Sequence, residues 1–187
     1  MVATRFKRYR MQCDLRRQLS EPPPIHPGYL VLPWRADLLE SHAAAKWASF
    51  ANELDALVFS CLADAKSCLQ LMRDIVNRSN FAPQATWLLV RETGPGQSPQ
   101  PCGTIQGIFD PLRVGSLQNV GVAPRDRGMG LGSVLLHRAL SGFQQADQVA
   151  ATLEVTARNT AALRLYQRVG FAITHTVYRS AELALDA

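Results

Sequence analysis

The chain has 187 residues, 47% of them hydrophobic, with 20 Lys and Arg against 15 Asp and Glu for a formal net charge of +5. That length and apolar content are enough to bury one domain's core without disulfides, metals or a second domain. No apolar run reaches the roughly 18 residues of a membrane-spanning helix, and the N-terminus lacks a signal peptide's apolar centre, so a cytoplasmic protein with no membrane span is expected.

In chain order, residues 1–28 read as a basic, Pro-rich arm ahead of one domain occupying 29–187. Six of the 20 basic residues, Arg5, Lys7, Arg8, Arg10, Arg16 and Arg17, fall in this arm. Pro22-Pro23-Pro24 is expected to form an extended polyproline spacer. The plain reading of the arm is a solubilising tail, and Phe6 and Tyr9 among its charges leave contact with RNA, an anionic membrane surface or an acidic protein open. No recognition helix or aromatic RNA platform is present, so specific nucleic-acid binding is not expected. Tyr29 to Pro33 reads as a strand. Ala36 to about Leu54 and Ala63 to Asn77 read as helices, the first supported by Ala43-Ala44-Ala45. Thr86 to Arg91 and Gly103 to Phe109 read as strands paired in a hairpin across the Gly- and Pro-rich loop 93–99. Asp110-Pro111 marks a turn before the strand Gly115 to Val122.

The run that follows carries the most chemistry. Arg127-Gly128-Met129-Gly130-Leu131-Gly132 lies between that strand and a helical run from Ser133 to Gln144. Glycines remove side chains where ligand oxygens must approach the backbone, and a helix N-terminus presents free N–H groups and partial positive charge. An anion site follows, with Arg127 and Arg125 as nearby cations. The G-x-G-x-G spacing lacks the acidic residue of a dinucleotide-binding unit, and Gly132-Ser133 lacks the lysine of a P-loop. A bare glycine-rich turn remains the alternative at this point. A strand-like run, Val149 to Thr156, comes next. It is followed by a helix from Asn159 with apolar positions at 162, 163, 165, 166 and 169 and a C-cap at Gly170.

With both motifs in view, Leu117 to Tyr178 resembles the GNAT superfamily of acetyl-CoA-dependent N-acetyltransferases. Arg127 to Gly132 is similar to that family's Arg/Gln-x-x-Gly-x-Gly/Ala motif, and Asn159, Ala162, Leu165-Tyr166 and Gly170-Phe171 to its second signature. The resemblance implies an α/β (α+β) fold: a mixed, mostly antiparallel sheet of about six strands with helices on both faces. Its fourth and fifth strands, here about 115–122 and 150–156, splay apart to admit the pantetheine arm. It implies acetyl-CoA as cosubstrate, held by Arg127, Gly128, Met129, Gly130, Leu131, Gly132 and Ser133 at the pyrophosphate, and by Val120, Gly121 and Val122 along the pantetheine. Asn159 and Ala162 complete the cofactor set, with Asn159 equally suited to N-capping its helix.

Acetyl transfer to an amine sets further requirements. An alkylamine of pKa near 10 is neutral to about one part in a thousand at pH 7, a cost of about 4 kcal/mol that a base or the site must meet. Tyr166 is the expected proton donor to the leaving thiolate, by the resemblance, and an ordinary packed helix tyrosine is its alternative. The base is open. No Asp or Glu lies between Leu112 and Pro124, where many family members carry one. Glu154, which strand alternation turns away from Leu153 and Val155, is the candidate, alongside water or the substrate itself. The four cysteines (Cys13, Cys61, Cys68, Cys102) form no C-x-x-C pair and the four histidines no H-E-x-x-H, so no metal is expected. The acceptor is an amine of unspecified size, and a homodimer is left open. A catalytically silent acyl-CoA-binding module, or a transferase for a longer acyl group or a non-amine acceptor, are the rival readings.

Overall fold

The computed structural model describes residues 2–183. Seven strands form one sheet: β1 (Val2–Asp14), β2 (Tyr29–Pro33), β3 (Phe81–Arg91), β4 (Gln100–Asp110), β5 (Val114–Val122), β6 (Ala150–Thr156) and β7 (Ala172–Leu183), in the spatial order β2-β3-β4-β5-β6-β1-β7. All pairs are antiparallel except β5 with β6. The helices are α1 (Leu39–Phe50), α2 (Leu54–Val58), α3 (Ala65–Val76), α4 (Leu131–Gln145) and α5 (Thr160–Val169).

The two faces follow from strand alternation. On β3, Leu88 and Val90 pack with Ala45 of α1, whereas Leu89 packs with Leu135, Leu136, Leu140 and Phe143 of α4. Helices therefore cover both faces. Close approach of α4 to β3 depends on Gly142, where a Cβ would lie 1.9 Å from the Gln84 carbonyl oxygen. The β3–β4 hairpin is present, although β3 begins earlier than expected, at Phe81. Pro83 masks that start in the sequence, and the ladder is irregular between Ala82 and Trp87.

The N-terminal arm is corrected. Val2–Asp14 is a strand, paired with β6 from Arg8 to Asp14 and with β7 from Val2 to Gln12. Its basic residues disguise a two-residue period. Phe6 and Arg8 are buried while Arg5, Lys7 and Arg10 are exposed, and past a register shift at Arg10/Met11, Met11 and Cys13 are buried in turn. A charge count averages over both faces and hides that alternation. Residues 15–28 do not space a tail from the domain; they run back toward the far-edge strand β2. Gln144 of α4 donates to the carbonyls of Leu15 (2.8 Å) and Arg17 (3.1 Å), and Ser20 lies 3.2 Å from Nε2 of His137.

A polar chain is buried under α1. Lys46, fully inaccessible, donates to Oε1 of Gln106 at 2.7 Å. The Gln106 amide in turn donates to Thr104, whose Oγ1 lies 2.8 Å from Nδ1 of His42. Burial lowers the Lys46 amine to about 7, and burial together with the Lys46 charge lowers His42 to about 3.

Two outcomes are expected. Deleting residues 1–14 removes an interior strand, so cooperative urea unfolding followed by circular dichroism should be lost; an unchanged transition would mean that the segment is dispensable. Between pH 7 and the unfolded amine's pKa near 10.4 the unfolded chain holds a proton that folded Lys46 has released, so stability rises with pH. The buried thiols, raised by burial, act in the opposite direction above about pH 8.5. The urea midpoint should therefore climb from pH 7 to 8.5 in the wild type and stay flatter in Lys46→Met.

Candidate active site

The site begins where two strands stop pairing. β5 and β6 run parallel only over Val114–Ser116 and Ala150–Thr152, so the β6-facing edge of β5 beyond Ser116 has no strand partner. A bulge reinforces the parting. The β4 register passes from Gly121 opposite Thr104 to Gln118 opposite Gln106, and Asn119 takes φ +51°. An extra residue at this place bends the strand and turns its backbone groups into the gap.

The turn after β5 is tied down by Asp126, which is 1% exposed and accepts from the Tyr29 hydroxyl and Arg91 Nη1, both at 2.8 Å. Gly130 then caps α4 at φ +75°, a left-handed conformation that glycine adopts freely. No side chain caps that end. The first helical bonds run from the N–H groups of Ser133 and Val134 to the Gly130 carbonyl, so the N–H groups of Leu131 and Gly132 have no intrahelical acceptor.

A cavity of about 430 Å³ opens against this loop. It is lined by Val120, Gly121 and Val122, by Arg127, Gly128, Gly130, Leu131, Gly132 and Ser133, and by Asn159, Ala162 and Tyr166. A second cavity, of about 720 Å³, adjoins it. The two share Phe50, Asp55, Val120, Asn159, Ala162 and Tyr166. Tyr166 is 6% exposed, and burial first, then the Asp55 carboxylate, raise its phenol well above the usual range. At neutral pH it carries its proton.

A family model described as Acetyltransferase (GNAT) family matches residues 52–171. The chain belongs to the GNAT family of acetyltransferases. No curated protein sequence matches it. Among solved structures, a GCN5-related N-acetyltransferase from Sphaerobacter thermophilus superposes with a TM-score of 0.68 at 21% identity, over 94% of this chain and 50% of that one. The NatC complex bound to Gag peptide and CoA gives 0.64 at 22% identity, over 83% and 99%. The ribosomal-protein-S18-alanine N-acetyltransferase from Escherichia coli gives 0.57 at 16%, over 85% and 96%. At these identities the likeness is one of fold, and the chain spans half the length of the Sphaerobacter protein. Among the described residues no helix is long and apolar enough to cross a membrane.

Within this GNAT domain the expected cofactor residues converge, with three qualifications. Met129 is absent from the cavity lining and packs against the core. The Arg127 guanidinium turns to protein acceptors: Glu53 at 2.6 Å, the Val122 carbonyl at 2.8 Å and the Ser49 carbonyl at 3.1 Å. It ties α1 to the loop, so the donors left free at the turn are chiefly backbone N–H groups. Asn159 caps α5, accepting from the Ala162 N–H at 3.1 Å, while also lining both cavities.

Glu154 lines the second cavity and not the first. Its carboxylate lies 3.0 Å from Arg10, 3.7 Å from Arg179 and 3.9 Å from Arg8. Two positions are not singled out by the sequence. Arg168, on the far turn of α5, brings a cation to the first cavity. Asp55 stands where the cavities meet, and its Oδ1 accepts from Arg8 Nη1 and from the Thr156 hydroxyl, both at 2.9 Å. Helical periodicity marks Arg168 only as a solvated position, and no local pattern sets Asp55 apart from its acidic neighbours.

A carboxylate placed over the turn should exclude an anionic ligand. Gly130→Glu is expected to weaken CoA binding in a calorimetric titration by at least about a hundredfold. Gly130→Ala, which carries the same backbone strain without the charge, should cost far less; equal losses would remove the anion-site assignment.

Proposed function

We propose that this domain transfers an acetyl group from acetyl-CoA to a primary amine by direct attack in a ternary complex. The observation that carries the reading is the meeting of two cavities at Tyr166 and at Val120, on the stretch of β5 that has no β6 partner. One cavity suits the cofactor and the other admits the acceptor.

In this reading the pyrophosphate sits on the backbone N–H groups of the 128–133 turn, where the helix N-terminus favours negative charge. Arg168 adds a cation at the mouth. The pantetheine arm runs along the unpaired edge of β5 at Val120 and Val122, which brings the thioester to the gap. Backbone N–H groups of this bulged stretch are the donors for the oxyanion of the tetrahedral intermediate. The neutral amine attacks and the C–N bond forms; on collapse the C–S bond breaks, the Tyr166 hydroxyl gives its proton to the departing thiolate, and the proton shed by the nitrogen returns through water to the tyrosine oxygen. Burial keeps the hydroxyl proton in place until collapse.

Asp55 meets the acceptor at the junction. Both of its protein hydrogen bonds fall on Oδ1, which leaves Oδ2 to orient the incoming amine. Glu154 is the less suited carboxylate for that task, because it is engaged by guanidiniums and lies outside the cofactor cavity.

Calorimetric titration with acetyl-CoA, with NADH as control, tests the cofactor first; micromolar binding supports the reading, and absence of binding to any CoA thioester rejects it. Tyr166→Phe is then expected to lower kcat by roughly 10- to 100-fold with CoA affinity held within a few-fold. Unchanged turnover would remove Tyr166 as the acid.

A further inference from the structure

The second cavity has an uneven distribution of charge. Its junction end carries Asp55. Away from the junction, β1 and β7 bring Arg8, Arg10 and Arg179 around one carboxylate, Glu154. The other acid in the lining, Asp110, accepts from the backbone N–H of Leu112 at 2.8 Å.

Arg8 is committed to Asp55, Thr156 and the Glu154 carbonyl, so Arg10 and Arg179 share one carboxylate and leave donors to spare. Arg10 makes a hydrogen bond to Glu154, whereas Arg179 approaches only to 3.7 Å. Arg8 is the most constrained of the three. Its side chain is 7% exposed and lines this cavity, yet its buried Nε has no hydrogen-bond partner. That Nε is closed off from the cavity, so the donors open to a ligand are those of Arg10 and Arg179. Arg8 also spans the cavity, with Nη1 on Asp55 and Nε toward Glu154.

We infer that this cavity selects an acceptor bearing a carboxylate as well as the reacting amine, a small amino-acid-like zwitterion whose amine meets Asp55 and whose carboxylate meets Arg10 and Arg179. The inference rests on the acetyl-transfer reading for the amine's direction, while the carboxylate end rests on the cavity alone. Arg8 stands between the two ends and sets their spacing. The bidentate fork of Arg suits a carboxylate in a way that a lysine ammonium would not.

The test uses matched pairs: a panel of α- and ω-amino acids and the corresponding carboxamides, which keep the amine and lose the negative charge. Binding to the intact protein is measured by calorimetry without CoA, and turnover is measured with acetyl-CoA. At least one acid should bind roughly ten- to a hundredfold more tightly than its amide. Arg10→Gln combined with Arg179→Gln, both at half-exposed positions, should collapse that preference, raising KM for the acid more than it lowers kcat. Equal affinity for acid and amide overturns the inference, as does a panel in which nothing binds. If acids are preferred but acetyl-CoA does not bind, the transferase reading fails and the carboxylate site stands.

Discussion

The parting of β5 from β6 is the constraint on which the rest depends. A sheet that stayed paired along its length would satisfy every backbone group and leave no passage between its faces. Here the parallel ladder ends at Ser116, and the bulge at Asn119 prevents the strands from closing again. Free backbone groups at the gap are then available to a ligand that can pair as a strand would. The two cavities share Val120, on the stretch of β5 that has no β6 partner, and Tyr166 of α5.

Around that gap the protein divides its charges by function. Backbone N–H groups and the α4 N-terminus carry the positive end of the first cavity, which frees Arg127 to bind Glu53 and two carbonyls and so to fasten α1 against the loop. Asp126, Tyr29 and Arg91 fasten the same loop from the other side. A turn held in this way keeps its N–H groups directed without a ligand present, the preorganisation that the proposed anion site calls for. Apart from Arg168 at the first cavity, the arginines that face open volume sit in the second cavity, and they come from the strand inserted between β6 and β7 and from β7 itself.

Insertion of β1 is also what makes the sheet continuous. Without it β6 and β7 would be separated by an empty strand position, and Arg8 would not reach Asp55 and Thr156. The segment 15–28 is the physical consequence: a chain that begins beside β6 must return to β2 at the opposite edge. The prolines there fit an extended path, since they cannot donate to a ladder and resist helix.

The sequence by itself determined the elements whose signals are local. Glycines 128, 130 and 132 before a helix, Asn159 and Gly170 at the two ends of α5, and the apolar spacing between them all express backbone chemistry within a few residues, and each is found where that chemistry puts it. The lining of the first cavity was legible for the same reason, apart from Met129 and the direction of the Arg127 side chain. Tertiary structure alone decided the fate of the N-terminal segment, because whether alternating basic and apolar residues form a tail or a strand depends on partners more than 130 positions away in β6 and β7. It also decided which carboxylate reaches the junction. Glu154 and Asp55 look alike in one dimension. They separate only when Arg10, directly opposite Glu154 in the ladder, engages the first, and Arg8 and Thr156 hold the second beside Tyr166. Charge pairing of this kind acts through space over a few ångströms, and sequence distance carries no record of it.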